Sequence, residues 1–480
     1  MITARRSIVV LTALVTVGAY AWVQQAIQGD VVMDLHTIGA GGAVWGLYVV
    51  GDGFFASAAL ALLAVACVIR VLRLRGMEGV ARMALPLGIA GLLASLGCVL
   101  ADLGRFAAAT VNLPLVGRPR SPFFGTFTVV AGASLFVTVV HLVLSSRPGW
   151  AQRAHSATRW SWCWRLLACG WNETASARRR RDRVDFWLSL AQLPLLLGGL
   201  VILGIVFGLR AGRPAWQGGL AVVTFVVSGG AAGCGLLLLA AHASRRASVS
   251  AARALAVFTG LTVLLAVAGE ILALRTPLLS VHRYSRALLD GPWSSFFFGE
   301  LGLLFLSGII SLAMAWRKKV PLILAATTAL LVCAAVAFER FLVLVAWQTH
   351  GLGLPWPAGK YNPTSIEWSV LVGVTAAAVL VFLFLARVCR AETCDASEPT
   401  SPAPTGRQLR ALVTAVCLIL GLAAAAGGLA LSAGLASAPF LDPILPGSPL
   451  VFLAGLLVMA LAAVAYELIP DREVRSGAKT

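Results

Sequence analysis

Charged side chains are scarce in this sequence. Only 12% of the 480 residues are charged, whereas 59% are hydrophobic, and the mean hydropathy is +0.88. This composition excludes a water-soluble domain of such length. The apolar residues form runs of roughly 20 or more, the length that a helix needs to cross a bilayer. The sequence therefore predicts an all-α, polytopic transmembrane helical bundle of about twelve spans. They lie near 7–27, 41–70, 80–103, 122–146, 185–208, 215–243, 251–274, 293–316, 320–346, 366–389, 410–433 and 450–469.

Closely spaced cysteines are missing. The nine cysteines are scattered and include no Cys-x-x-Cys pair, whereas iron–sulfur clusters, structural zinc and c-type haem all require clustered thiolates. A b-type haem would need axial histidines on facing helices, and His141 and His242 are the only plausible pair. A hydrogen-bonded or solvent-facing histidine is the simpler interpretation of each. We therefore expect no haem, iron–sulfur cluster or metal in this chain.

Acidic residues are few, 20 against 38 basic ones, which gives a net charge of +18. The basic residues concentrate in loops on one side, in runs such as Arg178-Arg-Arg-Arg181 and Arg317-Lys-Lys319. This distribution follows the positive-inside rule and suits contact with anionic membrane lipid. It argues against a nucleic-acid partner.

The first apolar run allows two interpretations. Arg5-Arg6, an apolar core and then Gly18-Ala-Tyr-Ala21 could form a signal peptide. The run continues to Ile27, which is long enough to span, so we favour an uncleaved anchor. Twelve spans then place both termini in the cytoplasm, and we expect a multi-pass protein of the bacterial cytoplasmic (inner) membrane.

Five segments are expected along the chain. Residues 391–409 form a Pro/Ser/Thr-rich linker. The segments are an N-terminal anchor helix with its outer loop (1–40), a first helical bundle (41–210), a second helical bundle (211–390), the linker (391–409) and an additional C-terminal transmembrane hairpin (410–480).

The two bundles share a motif. In each, an aromatic cluster precedes a glycine-flanked carboxylate early in a hydrophobic helix, Asp52 in the first and Glu300 in the second. The helix after each ends on an acid and an arginine, Asp102 with Arg105 and Glu339-Arg340. Because the second occurrence begins six helices after the first, both run the same way through the membrane, and we predict a parallel repeat.

Ionisable residues are costly in hydrocarbon, at least about 2.5–3.5 kcal/mol each, so they usually mark a functional site. Glu270 and Glu367 are further carboxylates in the predicted helices, besides those of the repeat motif. Most of these ionisable residues fall near the helix ends at the outer face of the membrane. A transporter would need its site near the midplane. A quinol that enters sideways from the bilayer needs only hydrogen-bonding groups and proton acceptors at one edge. A polytopic transporter and a purely structural anchor for redox partners stay as alternatives.

At these motifs the sequence resembles the NrfD-like (polysulfide reductase C type) integral membrane subunits of quinone-linked oxidoreductases. The matching elements cover roughly residues 1–390, although Phe106 replaces the family's usual proline and the C-terminal hairpin is additional. They are Trp45-Gly-Leu-Tyr48, Ala101-Asp-Leu-Gly-Arg105, Asn112, Arg120-Ser-Pro122, Arg340 and Tyr361-Asn-Pro-Thr-Ser-Ile-Glu367.

The resemblance implies two four-helix bundles and a site near the outer surface that binds quinone or menaquinone as substrate. It also implies a ferredoxin-like 4Fe-4S subunit docked on the outer face, often with a molybdopterin or multihaem c-type cytochrome subunit. The chain would carry no redox centre and would exchange electrons between the quinone pool and that iron–sulfur subunit, as the quinol-oxidising or quinone-reducing subunit of a respiratory oxidoreductase.

The expected site residues follow from the motifs and the resemblance. We expect Asp52 or His36 to receive a quinol proton and Arg105 to hold Asp102 ionised. Glu300, Glu339 and Arg340 are expected to form a second site or to support proton exchange with the outer face. The expected catalytic residues are Asp102, Arg105, Asp52 and His36, and the expected quinone-binding residues are Tyr48, Trp45, Asn112, Glu300, Glu339, Arg340 and Glu367.

Overall fold

The computed structural model contains twelve α-helices and one π-helical segment in the part of the chain that it describes. The described residues are 2–29, 32–35, 43, 45–74, 76–103, 127–155, 161–171, 174–208, 219–244, 248–275, 288–291, 293–317, 319–349 and 361–389. The α-helices are α1 (Ile2–Gln28), α2 (Leu47–Val71), α3 (Glu78–Asp102), α4 (Thr128–His155), α5 (Ser161–Ala168), α6 (Ala175–Gly208), α7 (Gly219–Ala243), α8 (Val249–Arg275), α9 (Ser294–Ala315), α10 (Leu322–Phe341), α11 (Trp347–Thr349) and α12 (Ser365–Val388), and the π-helix is Leu342–Ala346.

Ten of these helices are long and apolar enough to cross a membrane, namely all but α5 and α11, with the ninth span continuing through the π-helix to Ala346. Helices suit this environment because they satisfy every backbone polar group within the segment. The described residues contain no β-strand, so the predicted polytopic all-α class is confirmed. The two further predicted spans, 410–433 and 450–469, and the linker 391–409 lie outside the described residues.

Helices α2 and α7 form the centre of the molecule. In each, 67% of the most apolar stretch is buried, against 11% for α1 and 17% for α12. Helix α2 packs against α3, α6 and α7, while α7 packs against α8 and α10, and α9 packs between α8 and α10. The predicted boundary at 210/211 falls between α6 and α7 and stays a prediction.

Helices α1 and α12 pair on the periphery, and α12 also packs against α3. Their contact is close because two glycines face each other: a Cβ atom on Gly18 would lie 2.6 Å from the Cα of Gly373. This pair brings the end of α1 and the start of α12 over the first turns of α2.

The two ends of the bundle carry different residues. We name the end at which α2 begins and α3 finishes the Asp102 end, and the opposite end the Arg70 end. Helices α1, α3, α6, α8 and α10 finish at the Asp102 end, whereas α2, α4, α7, α9 and α12 begin there. The carboxylates singled out by the repeat motif therefore lie in the same end of the molecule.

Candidate functional site

One face of α3 presents polar side chains to the start of α2. Ser95, Cys98 and Asp102 are three, then four residues apart, a spacing that places them on one side of a helix. The Ser95 hydroxyl donates a 2.5 Å hydrogen bond to Oδ1 of Asp52, whose side chain is 2% exposed. Cys98 lies within electrostatic range of both Asp52 and Asp102. The Ser95 hydrogen bond therefore ties Asp52 to α3 along the α2–α3 contact.

A glutamine from α1 joins this region to the first turn of α2. Tyr48, 1% exposed, donates its hydroxyl proton to Oε1 of Gln25 at 2.8 Å. The Nε2 group of Gln25 donates to the carbonyl of Ala101, the residue before Asp102, at 3.0 Å. Met33, Ala101 and Tyr48 pack together in a small apolar cluster. Tyr48 is therefore held beside the end of α3.

A second tyrosine holds the start of α2 to the start of α12. The Tyr361 hydroxyl donates to Oε1 of Glu367 at 2.5 Å and accepts from the backbone N–H of Leu47 at 2.7 Å. Burial, and next to it the Glu367 carboxylate, raises the pKa of Tyr361, which keeps this donor protonated. Gly46 makes room for the contact, because a Cβ atom there would lie 2.5 Å from the Tyr361 oxygen.

Glu367, which is fully buried, also closes the first turn of its own helix. Its Oε2 accepts from the N–H of Thr364 while the Thr364 hydroxyl accepts from the N–H of Glu367, a reciprocal capping box. The backbone of Trp45, just before α2, is also held by a side chain. Its N–H donates to Oε1 of Gln348, and its C=O accepts from Nε2 of the same amide. Its ring meets Phe207 edge-on at 5.8 Å. These contacts fix the backbone around Tyr48.

A second charged cluster lies where α10 meets α2 and α7. Arg340 is fully buried and pairs with Glu339, with 2.5 Å between Nη1 and Oε1. Its Nη2 donates to the carbonyl of Phe225 at 2.8 Å and to the hydroxyls of Ser228 and Ser57 at 3.0 and 3.3 Å. The guanidinium also lies 3.4 Å from the centre of the Phe225 ring. One arginine thus joins three helices.

Two more carboxylates surround this arginine. Glu270 from α8 and Glu300 from α9 are both buried, and each interacts electrostatically with Glu339 and Arg340. Oε1 of Glu300 has no hydrogen-bond partner among the described residues. Full ionisation would leave two uncompensated negative charges in a buried space, which is unfavourable without shared protons.

The two clusters lie on different sides of α2. Asp52 faces α3, whereas the next residue, Gly53, faces Arg340: a Cβ atom at position 53 would lie 3.5 Å from the Arg340 Cδ atom. The structure therefore brings Asp52, Asp102 and Tyr48 together around α2 and α3, and Glu270, Glu300, Glu339 and Arg340 together around α10. Trp45 and Glu367 border the first group. Arg105, His36 and Asn112 lie outside the described residues.

Sequence reasoning missed several polar partners. Gln25 and Ser95 hold the predicted Tyr48 and Asp52, yet neither is ionisable and neither stands out in an apolar run.

Sequence reasoning also missed a buried polar group near the Arg70 end. There Nε2 of His141, on α4, lies 3.6 Å from Oδ1 of Asp185, and its Nδ1 lies 3.4 Å from the amide oxygen of Gln192; both partners are on α6. The Nη1 atom of Arg70 and the Nε2 atom of His141 have no hydrogen-bond partner in the described part of the chain. The expectation that ionisable groups gather at the outer ends omitted this cluster.

Metal coordination is not indicated by the described side chains, which include no group of three or more His, Cys, Asp and Glu residues placed to hold an ion. The polar side chains around Tyr48 at the Asp102 end include carboxylate, phenol and amide groups, and aromatic rings lie nearby. Such groups can orient a flat molecule through hydrogen bonds and accept protons from it. They define a multi-pass integral membrane protein with a buried polar site at one end of its bundle.

The particular family follows from sequence comparison. Residues 37–350 match the family described as polysulphide reductase, NrfD, and the chain belongs to that family. A relative from Halobacterium salinarum, provisionally named as a membrane subunit of dimethyl sulfoxide reductase, is 26% identical over 78% of this chain and 88% of its own length. A selenate reductase subunit of Mesobacillus selenatarsenatis is 24% identical over 70% of this chain and 84% of its own length. The predicted resemblance is confirmed.

Proposed function

We propose that this chain is the quinol-binding membrane subunit of a multisubunit respiratory oxidoreductase. A hydroquinone, of the menaquinone type, enters from the bilayer at the Asp102 end and passes its electrons to an iron–sulfur subunit docked outside that end. The observation that carries this proposal is the group formed by Asp52, Asp102 and Tyr48, since it offers proton and hydrogen-bond acceptors at one edge of a membrane bundle. Membership of the NrfD family supports it.

Each site residue has a distinct role in this proposal. Asp52, held by Ser95, receives a proton as the hydroquinone is oxidised, because two protons leave with the two electrons. Asp102 lies at the end of α3, where Arg105 is proposed to hold it ionised and His36 to share in proton transfer. Tyr48 and Trp45 shape the ring slot, and Asn112 contacts the ring oxygens. Glu367 supports the slot by fixing the start of α12 against α2.

The second charged cluster is assigned to proton exchange with the outer face. Three buried carboxylates around one arginine are costly to ionise together, so the cluster can hold a proton, take it up at one carboxylate and release it at another. Glu300 is the best-placed of the three for this role, because one of its oxygens is unpartnered within the described structure.

The same proposal extends to the partner complex and to the membrane. The names of the two relatives, a dimethyl sulfoxide reductase and a selenate reductase, support a reductase complex as the partner, and the family resemblance implies a molybdopterin subunit behind its 4Fe-4S subunit. A multihaem c-type cytochrome is the alternative electron acceptor. The Asp102 end then faces outward across the cytoplasmic membrane, with the arginine-rich start of α6 in the cytoplasm, as the positive-inside rule requires.

Photoaffinity labelling tests where the ring binds. Purified protein is illuminated with an azido-substituted naphthoquinone, and labelled peptides are identified by mass spectrometry, with excess unlabelled naphthoquinone as the competition control. We expect competed label in the end of α1, the first turns of α2 and the last turns of α3. Competed label confined to α8, α9 and α10 would move the site to the Glu300 cluster and contradict the proposal.

A further inference from the structure

Gln25 is an unusual residue for its helix. Helix α1 is mostly exposed, and its neighbouring glutamines, the half-buried Gln24 and the exposed Gln28, are bonded within α1 itself. Gln25 is only 2% exposed and bonds to two other helices. A buried side-chain amide in an apolar bundle is costly unless both of its ends are hydrogen-bonded. Both ends of Gln25 are.

The surroundings of Gln25 fix which end of the amide faces which partner. The Ala101 carbonyl can only accept a hydrogen bond, so the NH₂ group must face it and Oε1 must face Tyr48. The reverse orientation would place two acceptor oxygens 3.0 Å apart, which the network excludes. Because Oε1 only accepts, the single hydroxyl proton of Tyr48 is directed to Gln25.

This arrangement restricts what Tyr48 can do for a ligand. A phenol carries one donor hydrogen and two acceptor lone pairs. With its hydrogen directed to Gln25, the Tyr48 oxygen acts as an acceptor toward any further partner. Asp52 adds a second acceptor, since its carboxylate already receives the Ser95 hydrogen bond. A hydroquinone offers two O–H donors to these acceptors, whereas a quinone offers only carbonyl acceptors of its own.

We infer that Gln25 sets the hydrogen-bond polarity of Tyr48 and thereby makes the site select the hydroquinone over the quinone. This inference rests on the proposed function and adds a specificity-determining residue to it. It also gives the site a direction: the reduced form binds, and the oxidised form is released because its carbonyl oxygen would face the Tyr48 oxygen.

Equilibrium dialysis under anaerobic conditions tests this inference on the purified full chain. The probes are fully reduced and fully oxidised 2-methyl-1,4-naphthoquinone. We expect the wild type to bind the reduced form about tenfold more tightly, the equivalent of one net hydrogen bond in a buried site. In Gln25→Leu the Tyr48 hydroxyl no longer donates to Gln25 and can donate to a quinone carbonyl instead. The ratio of the dissociation constant of the oxidised form to that of the reduced form should therefore fall to about two.

The matched control is Gln24→Leu, which makes the same change at a half-buried position of α1, where Gln24 bonds to Tyr20 and Gln28 of its own helix. Its ratio should equal that of the wild type. Tyr48→Phe provides a second variant if Gln25→Leu does not fold, and it should lower the ratio by removing the acceptor itself. Equal binding of both forms by the wild type, or an unchanged ratio in Gln25→Leu, would overturn the inference while leaving the proposed function intact. Saturable binding of neither form would overturn the proposed function.

Discussion

Replacing Asp52 by Asn is expected to reduce quinol oxidation about 100-fold, the lower range for loss of a positioned proton acceptor. The substitution keeps the size of the side chain and the acceptor for the Ser95 hydroxyl, but an amide cannot take up a proton. Inhibitor affinity should therefore stay at the wild-type value while turnover falls. Quinol-dependent reductase activity of membranes that carry the assembled complex measures the first quantity, and inhibitor titration of the same membranes measures the second.

Asp182→Asn is the control for this experiment. This variant makes the same chemical change near the start of α6, where the Asp182 side chain is 46% exposed and pairs with Arg181. Its turnover should equal that of the wild type. Wild-type turnover in Asp52→Asn would contradict the assignment of Asp52 as proton acceptor, and a parallel loss of inhibitor affinity would assign it to binding instead.

Replacing Arg340 by Met is expected to cause the largest loss of stability of any single change in the described core. The guanidinium connects α10 to α2 through Ser57 and to α7 through Phe225, and it pairs with Glu339 of its own helix. Its removal leaves a buried carboxylate unpaired, which costs about 3–5 kcal/mol. Thermal unfolding of the detergent-solubilised protein, followed by tryptophan fluorescence, should show a midpoint lower by several degrees.

Two further variants separate loss of charge pairing from loss of packing. Arg317→Met, at an exposed position after α9, should melt with the wild type. Adding Glu339→Gln to Arg340→Met should recover part of the lost midpoint, because it removes the uncompensated charge. If Arg340→Met melted with the wild type, Arg340 would not hold the three helices together.

Sequence alone placed most of the ionisable residues along their helices. Helix periodicity and length assign depth to residues such as Asp52 and Glu300, since the rise per residue is fixed once a span is recognised. The pairing of Glu339 with Arg340 was also accessible, because adjacent opposite charges in an apolar run must compensate each other. The all-helical class followed from composition.

Depth does not determine which helices face each other. The sequence grouped Asp52 and Glu300 by analogy, yet Asp52 faces α3 and Glu300 faces the Arg340 cluster, because the rotation of α2 places Gly53, not Asp52, against Arg340. That rotation depends on packing between helices far apart in sequence.

Uncharged partners were equally hidden. Gln25 is the same residue type as its neighbours Gln24 and Gln28. Only the tertiary structure shows that Gln25 alone of the three is buried. The His141–Asp185 group was missed for a related reason: both residues lie near the inner ends of the predicted spans 122–146 and 185–208, where solvent contact is the usual expectation. The helices α4 and α6 extend beyond those ends, and their packing buries His141 completely and leaves Asp185 partly buried.

Binding of a hydroxyquinoline N-oxide inhibitor to the purified chain tests the central claim most directly. The wild type should quench the inhibitor's fluorescence saturably, and Asp102→Asn should lose that quenching because it removes the charge at the end of α3. Glu78→Gln, the same change at the exposed first turn of α3, should quench like the wild type. Saturable quenching that is identical in Asp102→Asn and the wild type, or absent from both, would contradict a quinone site at the Asp102 end.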